Sequence, residues 1–382
     1  MAATTNTLQQ LLDQGQSPWL DYITRDLIKS GKLQALIDQG IVGMTSNPTI
    51  FQKAISDGEA DYDADLRTMV RDGKSVADIY DGLVLDDIRH AASVLRPVYD
   101  RTDGRDGYVS IEEPPDMADD TARSRDEARR LFHYLDLPNE MIKIPGTPAG
   151  IPAVQHAISE GINVNVTLVF ALDAYRQVAE AYIAGLEQRA AAGQPLDRIA
   201  SVASFFVSRV DTAVDKKLDE LITQASDEGR KNALRALQGT AALANAKLAY
   251  AAYQEIFSGP RWEALARQGA RTQRCLWAST STKNPAYRDI LYAEQLIGPD
   301  TVDTMTPATI DAFLDHGQVA RTVDRDVEDA RHAFAAIERA GISLDAVTKQ
   351  LQRDGVRQFG DSFDALTTTI TAKREEMLAQ AR

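Results

Sequence analysis

The amino-acid sequence predicts an α/β fold, a (β/α)8 TIM barrel with extra helices inserted and a helical C-terminal extension. Short apolar or β-rich segments alternate with longer stretches of helical periodicity, the pattern of βα units around a parallel sheet. Eight such segments occur, the number that closes a barrel. An open doubly wound sheet is the alternative architecture, but no G-x-G-x-x-G fingerprint follows the first segment.

The eight predicted strands are Trp19–Ile23, Ile41–Asn47, Gly107–Glu113, Met141–Pro145, Ile162–Phe170, Ile199–Val207, Arg274–Thr280 and Thr301–Met305. Helices fall between them. Asp116–Leu135 opens with acids and closes before Pro138. Pro148–Glu160 follows Gly146-Thr147 and stops at Gly161, as helix ends commonly do. Leu172–Ala191 spaces Ala174, Val178, Tyr182 and Leu186 four apart, a helical stripe.

Two connections are longer than a barrel requires. Lys53–Asp106 holds enough helical pattern for two or three helices. Ser208–Gly269 holds a charged helix around Asp211–Ala225 and an alanine-rich one around Lys231–Phe257. From Gln318 onward the chain is helical again, in at least two pieces split near Gly341, with a third expected after Gly355. No Pro/Gly/Ser linker precedes any of these, so residues 1–382 are read as one barrel domain. Its helical insertions lie at about 54–106 and 208–269, and its C-terminal helices start at about 318.

Composition narrows the function. Of 382 residues, 44% are hydrophobic, a globular profile. The formal charge of −14 repels nucleic acid and anionic membrane at long range, so neither is an expected partner. A few local cations can still hold a phosphate. The single cysteine, Cys275, excludes an internal disulfide and suits a reducing compartment. It sits in the apolar run Cys275-Leu276-Trp277-Ala278, where a buried inert thiol is expected. The start M-A-A-T-T-N-T-L-Q-Q has neither a basic region nor an apolar core, so it is not read as a signal peptide. The apolar stretch Gly239–Phe257 is interrupted by Asn245, Lys247 and Glu255, so no uncharged span reaches the roughly 18–20 residues a bilayer needs. The expected location is cytoplasmic.

Lys143, in Met141-Ile142-Lys143-Ile144-Pro145, is the most informative residue. Alternate residues of a strand share a face, so Lys143 points away from Ile142 and Ile144. If the isoleucines face the helices, the lysine points into the barrel. Burial there disfavours the ammonium, and a free amine can form a Schiff base with a ketone. The plain alternative is a strand-end lysine that snorkels to solvent. Neighbouring strands also end in polar residues. The second ends in Thr45-Ser46-Asn47-Pro48, and the third carries Ser110-Ile111-Glu112-Glu113. The fifth reads Asn163-Val164-Asn165-Val166-Thr167, its three polar residues on one face. Each would cost on the order of 1–3 kcal/mol if buried without a hydrogen bond, and a shared polar interior removes that cost.

On these motifs the chain resembles the transaldolase family. Gly40–Phe51, G-I-V-G-M-T-S-N-P-T-I-F, is similar to the family's N-terminal signature. Met141–Thr147 resembles its Schiff-base lysine strand, and Gly161–Phe170 resembles the strand that follows. Ser204–Val210 and Trp277–Pro285 extend the likeness, which covers about Trp19 to Gly317. It implies a lysine imine between Lys143 and the C2 carbonyl of a ketose phosphate. It makes Asp21 the acid/base group for the C4 hydroxyl, and pairs Glu112 with Thr167 and a water in proton shuttling. Asn47 and Asn165 would hold hydroxyls of a three-carbon unit, and Ser204 would line the pocket with Phe206 as an apolar wall. Arg209, Ser279 and Lys283 would bind phosphate.

Where many members place an arginine two residues after the serine matched by Ser279, this chain has Ser281, and the cation comes later at Lys283. Glu112 is preferred over Glu113 by its match to S-x-E, since adjacent strand residues face opposite sides. Ala171 stands where a serine is frequent. The implied reaction is transfer of dihydroxyacetone between sugar phosphates, with no cofactor or metal.

The five histidines, His90, His133, His156, His316 and His332, lack metal-binding spacing. Asp116, Asp119 and Asp120 read as helix-start acids, and Asp315-His316-Gly317 reads as a helix stop. Two rival functions remain. One is a related Schiff-base aldolase, which the resemblance describes as shorter and as having a tyrosine and a glutamine where this chain has Phe206 and Glu112. The other is a barrel that binds sugar phosphates without turnover. Oligomeric state, monomer or homodimer, is open at this level.

Overall fold

The computed structural model describes residues 5–57 and 59–380. Eight parallel strands close into a barrel in chain order. They are β1 Gln16–Asp21, β2 Gly43–Thr45, β3 Val109–Glu112, β4 Glu140–Pro145, β5 Val164–Val169, β6 Ser201–Phe206, β7 Arg274–Ala278 and β8 Thr301–Met305. All eight predicted strands exist. Five are shorter than expected, β2, β3, β5 and β6 at both ends and β7 at its C-terminal end, where flanking residues leave the ladder for the loops. β1 differs, starting at Gln16 and ending at Asp21 rather than running to Ile23.

The outer faces of the strands supply the core. Ile142, Ile144, Val164, Val166, Phe205 and Trp277 are fully buried beneath the surrounding helices. At the N-terminal end of the barrel, Arg274 pairs with Asp106 at 3.0 Å and donates to Ser17 Oγ at 2.8 Å. This buried pair satisfies polar groups there and lies away from the other end, where barrel chemistry sits.

The helices follow the predicted order with several corrections. The first long insertion forms Pro48–Asp57, Glu59–Arg71 and Val76–Arg101. Asp116–Leu135 is instead a 3-10 turn, Pro115–Met117, followed by a helix from Thr121. Asp120 caps that helix by accepting from the Ala122 and Arg123 amides, and Asp116 pairs with Arg123, so two of the three acids are accounted for locally. The alanine-rich segment is two helices, Glu228–Arg235 and Ala241–Ile256. The break falls at Gly239, whose φ of +70° suits glycine and whose amide donates to Asp215. The Asp315-His316-Gly317 stop is present at the end of the helix Pro307–His316.

The tail holds Val327–Arg339 and then one helix, Leu344–Gln380. No third piece begins after Gly355. That glycine lies inside the helix because a Cβ there would approach Leu168 Cδ2 to 2.8 Å. Its role is close packing rather than termination. The long helix crosses the C-terminal end of the barrel, packing on Pro115–Met117, β5, Pro48–Asp57 and the helix Ser208–Gln224. Among the described residues no helix is long and apolar enough to cross a membrane.

Candidate active site

The strand register places the predicted residues before any side-chain detail is needed. Glu112 pairs with Lys143 across β3 and β4, and Lys143 pairs with Asn165 across β4 and β5. Asp21 pairs with Thr45 across β1 and β2. Residues on one rung of a sheet stand side by side, so the barrel assembles these groups from distant parts of the chain.

Lys143 is 5% exposed and its amine points into the barrel, away from solvent. Its Nζ donates to the Ser46 carbonyl at 2.9 Å and lies 3.0 Å from Glu112 Oε2. The second contact is an ion pair lying off hydrogen-bonding geometry, for that oxygen has no formed hydrogen bond. The structure adds a carboxylate that attracts the amine and is placed to accept its proton. Burial pushes the Glu112 carboxyl up, Lys143 pulls it down and the negative charge of Asp21 adds to the rise. Asp21 is likewise raised by burial, against the pull of Lys143 and a 2.8 Å hydrogen bond from Thr45 Oγ1. Glu113, just past the end of β3, accepts from Ser124 and is pushed up to about 8 by burial.

Beside the lysine runs a polar row. Ser204 Oγ donates to Asn165 Oδ1 at 2.7 Å, and Asn165 Nδ2 donates to Ser110 Oγ at 3.1 Å. Asn165 is fully buried and borders Lys143 rather than the open cavity. The Thr167 hydroxyl is buried and has no hydrogen-bond partner. A buried hydroxyl left unpaired in a polar pocket is where a ligand or water would bind. Asn163, third of the polar face, instead pegs the start of β5 by donating to Glu140 O at 3.1 Å.

Above these groups lies a cavity of about 290 Å³. Asp21, Asn47, Lys143, Thr167, Ser204 and Phe206 line its inner part. Phe206 packs against Phe170, ring centroids 5.0 Å apart and tilted by 35°, and forms an apolar wall. Arg209, Ser279 and Lys283 line the side above β6 and β7. The Arg209 guanidinium sits 5.4 Å over the Phe206 ring and has no ion pair among the described residues. Burial lowers both cations, with the pull of Asp21 opposing it. Ser279 holds a φ of +58°, and its hydroxyl meets Ser208 Oγ at 2.9 Å.

Of the eleven predicted site residues, nine line this cavity, while Glu112 and Asn165 stand directly behind it. Sequence reasoning missed several others. Ser281 lines the cavity and accepts from Lys283 Nζ at 2.8 Å. Lys53 reaches it from the helix after β2, and Gln358 and Phe359 reach it from the C-terminal helix. Ser281 carried a signal, since it occupies the position of the displaced arginine. Gln358 and Phe359 carried none, because the placement of the tail is purely tertiary. A larger groove of about 630 Å³ lies outside the barrel mouth, between Phe170, Ala174 and the C-terminal helix, and holds none of these groups.

Among the described residues no three or more His, Cys, Asp or Glu side chains are grouped to hold a metal ion. Cys275 is buried, donates to Tyr175 Oη at 3.5 Å and is pushed up to about 12 by burial, so it is no nucleophile.

A closed parallel barrel with a polar cavity at its mouth, holding a buried lysine beside a carboxylate, has the architecture of a barrel enzyme. Comparison with known proteins narrows that class. The family described as Transaldolase/Fructose-6-phosphate aldolase matches residues 18–370. A transaldolase of Thermobifida fusca is 51% identical over 365 residues, 95% of this chain and 97% of its own length. One from Trichodesmium erythraeum is 47% identical over 376 residues, 98% of this chain and 99% of its own. Transaldolase 1 of Streptomyces coelicolor is 50% identical over 371 residues, 97% and 95% of the two chains. The chain belongs to the transaldolase/fructose-6-phosphate aldolase family, and within it to the transaldolases, which are transferases.

Proposed function

We propose that this enzyme carries a dihydroxyacetone unit on Lys143 between sugar phosphates of the pentose phosphate pathway. The donor is sedoheptulose 7-phosphate or fructose 6-phosphate, and the acceptor is glyceraldehyde 3-phosphate or erythrose 4-phosphate. One observation supports this above all. The Lys143 amine stands 3.0 Å from Glu112 in a buried cavity that also contains Asp21 and the unpaired Thr167 hydroxyl.

The chemistry follows from those positions. Lys143 gives up a proton toward Glu112 and its nitrogen attacks the donor's C2 carbonyl. A proton passes from that nitrogen to the C2 oxygen, Glu112 returns its own proton to the resulting hydroxyl through a water held by Thr167, and water leaves to give the iminium. Asp21 takes the C4 hydroxyl proton as the C3–C4 bond breaks. The bonding pair moves into the iminium, leaving an enamine on Lys143 and a free aldose phosphate. An incoming aldose phosphate reverses these steps. Two raised carboxyls beside one lysine suit this division, because each must both take and return a proton. Asn47, Asn165 and Ser204 hold the hydroxyls of the three-carbon unit. Arg209, Ser279 and Lys283 hold the phosphate, with arginine offering a two-pronged contact.

The proposed substrates are small sugar phosphates, without nucleic acid or membrane partners, and the proposed compartment is the cytoplasm. Borohydride reduction in the presence of fructose 6-phosphate tests the route. A reduced three-carbon adduct on the Lys143 peptide is expected in mass spectrometry, and its absence, or its presence on another lysine, rejects the scheme. Release of free dihydroxyacetone without an acceptor at the transfer rate would instead indicate the aldolase reaction of the same family.

A further inference from the structure

We propose that Gln352, on the C-terminal helix, is a positioning residue that holds the ends of β4 and β5 in register beneath the bound substrate. This inference rests on the proposed roles of Lys143 and Thr167.

The local backbone shows why a clasp is needed. β5 pairs with β6 at Val166 and again at Val169, and the register shifts between them. The intervening Thr167 and Leu168 leave that ladder, and Leu168 takes a φ of +56°. A branched apolar residue in that region is uncommon and persists only where its surroundings hold it. A bulge of this kind re-aims a neighbouring side chain, and here the neighbour is Thr167, whose hydroxyl faces the cavity. The shift also takes Leu168 out of the register of that ladder.

Gln352 supplies a donor to this stretch. Its Nε2 donates to Leu168 O at 3.1 Å and to Gly146 O at 2.9 Å, spending both amide hydrogens. Gly146 follows β4 three residues after Lys143, and its own amide donates to Thr167 O at 2.7 Å. One carboxamide therefore joins the backbone just beyond Lys143 to the backbone just beyond Thr167. The helix can come this close because Gly355, one turn on, presents no Cβ to Leu168. Gln352 and Gly146 both border the outer groove, so water can reach the Gly146 carbonyl when the amide is removed. Loss of the clasp then loosens geometry without leaving the Gly146 carbonyl unpaired.

Gln352→Leu removes both donors. Because misplacement of reacting groups by about 1 Å can cost up to roughly a hundredfold in rate, kcat is expected to fall roughly tenfold or more. KM for fructose 6-phosphate should stay within about twofold, since the clasp does not touch the phosphate site. Borohydride trapping on Lys143 should slow by the same factor as kcat. Gln352→Glu provides a readout that simple loosening would not move. Its ionised form turns negative oxygens on two carbonyls, whereas its protonated form restores one donor. Its kcat relative to wild type should rise as pH falls, while the ratio for Gln352→Leu stays flat. A Gln352→Leu kcat within twofold of wild type, or a flat ratio for Gln352→Glu, overturns the assignment. If Gln352→Leu does not fold, the pH dependence of Gln352→Glu decides alone. Wild-type trapping separates the two levels. No adduct on Lys143 of the wild type sinks the proposed function, whereas equal trapping rates in wild type and Gln352→Leu sink only the clasp.

Discussion

Lys283 Nζ donates to Ser281 Oγ at 2.8 Å, so the lysine folds back over the serine and brings its ammonium to the cavity wall. Ser281 sits where many family members carry an arginine, and the lysine two residues later delivers the cation to the same stretch of wall. Lys283→Ala should raise KM for phosphorylated substrates roughly tenfold with little change in kcat, the usual scale for one charge-assisted hydrogen bond. Adding Ser281→Arg to that variant should recover most of the loss. Steady-state kinetics of both would reject the idea if KM did not move in the single variant.

Arg209 has no ion pair among the described residues and stands across Phe206. Arg209→Ala should chiefly weaken the binding of phosphorylated ketoses, on the order of tenfold or more in KM. Unchanged Michaelis constants would remove it from the phosphate site.

Lys143→Ala should lower transfer on the order of a thousandfold or beyond, because it removes the one cavity amine that stands beside Glu112 among the described residues. Circular dichroism should show the barrel intact, since Glu112 can take up a proton once its cation is gone. A variant retaining a tenth of the wild-type rate would exclude Lys143 as the nucleophile.

Burial raises both Asp21 and Glu112. Each must be ionised to accept a proton, so activity falls as pH drops through their values. The acid limb of kcat/KM should lie above the ordinary carboxylate range near 4. An acid limb at or below about pH 4 would mean that neither raised carboxyl limits the reaction.

Glu140 is fully buried at the start of β4, both its oxygens lack partners, and burial pushes it up to about 9. The folded state binds this proton more tightly than the unfolded chain. Its stabilising effect is complete below about pH 4.5 and declines as pH rises toward 9. Glu140→Gln should therefore gain on the order of a few kcal/mol over wild type at pH 8 and nothing near pH 4. Urea titrations at the two pH values check this, and equal differences at both would contradict it.

The barrel was legible because strand residues alternate and helical stripes recur, and both periods are local. Lys143 drew notice for the same reason, since a charged residue inside an apolar run leaves few places for its side chain, whereas Glu112 came from the resemblance through S-x-E. What escaped depended on contacts between distant parts of the chain. Gly355 looked like a helix stop because glycine disfavours helices in isolation, and only Leu168 across the interface explains it. The bulge at Thr167–Leu168 is invisible in Asn163-Val164-Asn165-Val166-Thr167, whose alternation reads as an unbroken strand. Phe359 and Gln358 sit in a charged amphipathic stretch that could have covered any surface. Ser46, read only as a polar strand end, contributes its carbonyl to Lys143, and backbone atoms leave no trace in residue type.

Phe359, which lines the cavity, follows the last barrel strand, Thr301–Met305, in the chain. During synthesis every barrel strand is available long before this residue leaves the ribosome. The nascent protein must therefore carry its lysine pocket unroofed until the helix Leu344–Gln380 emerges.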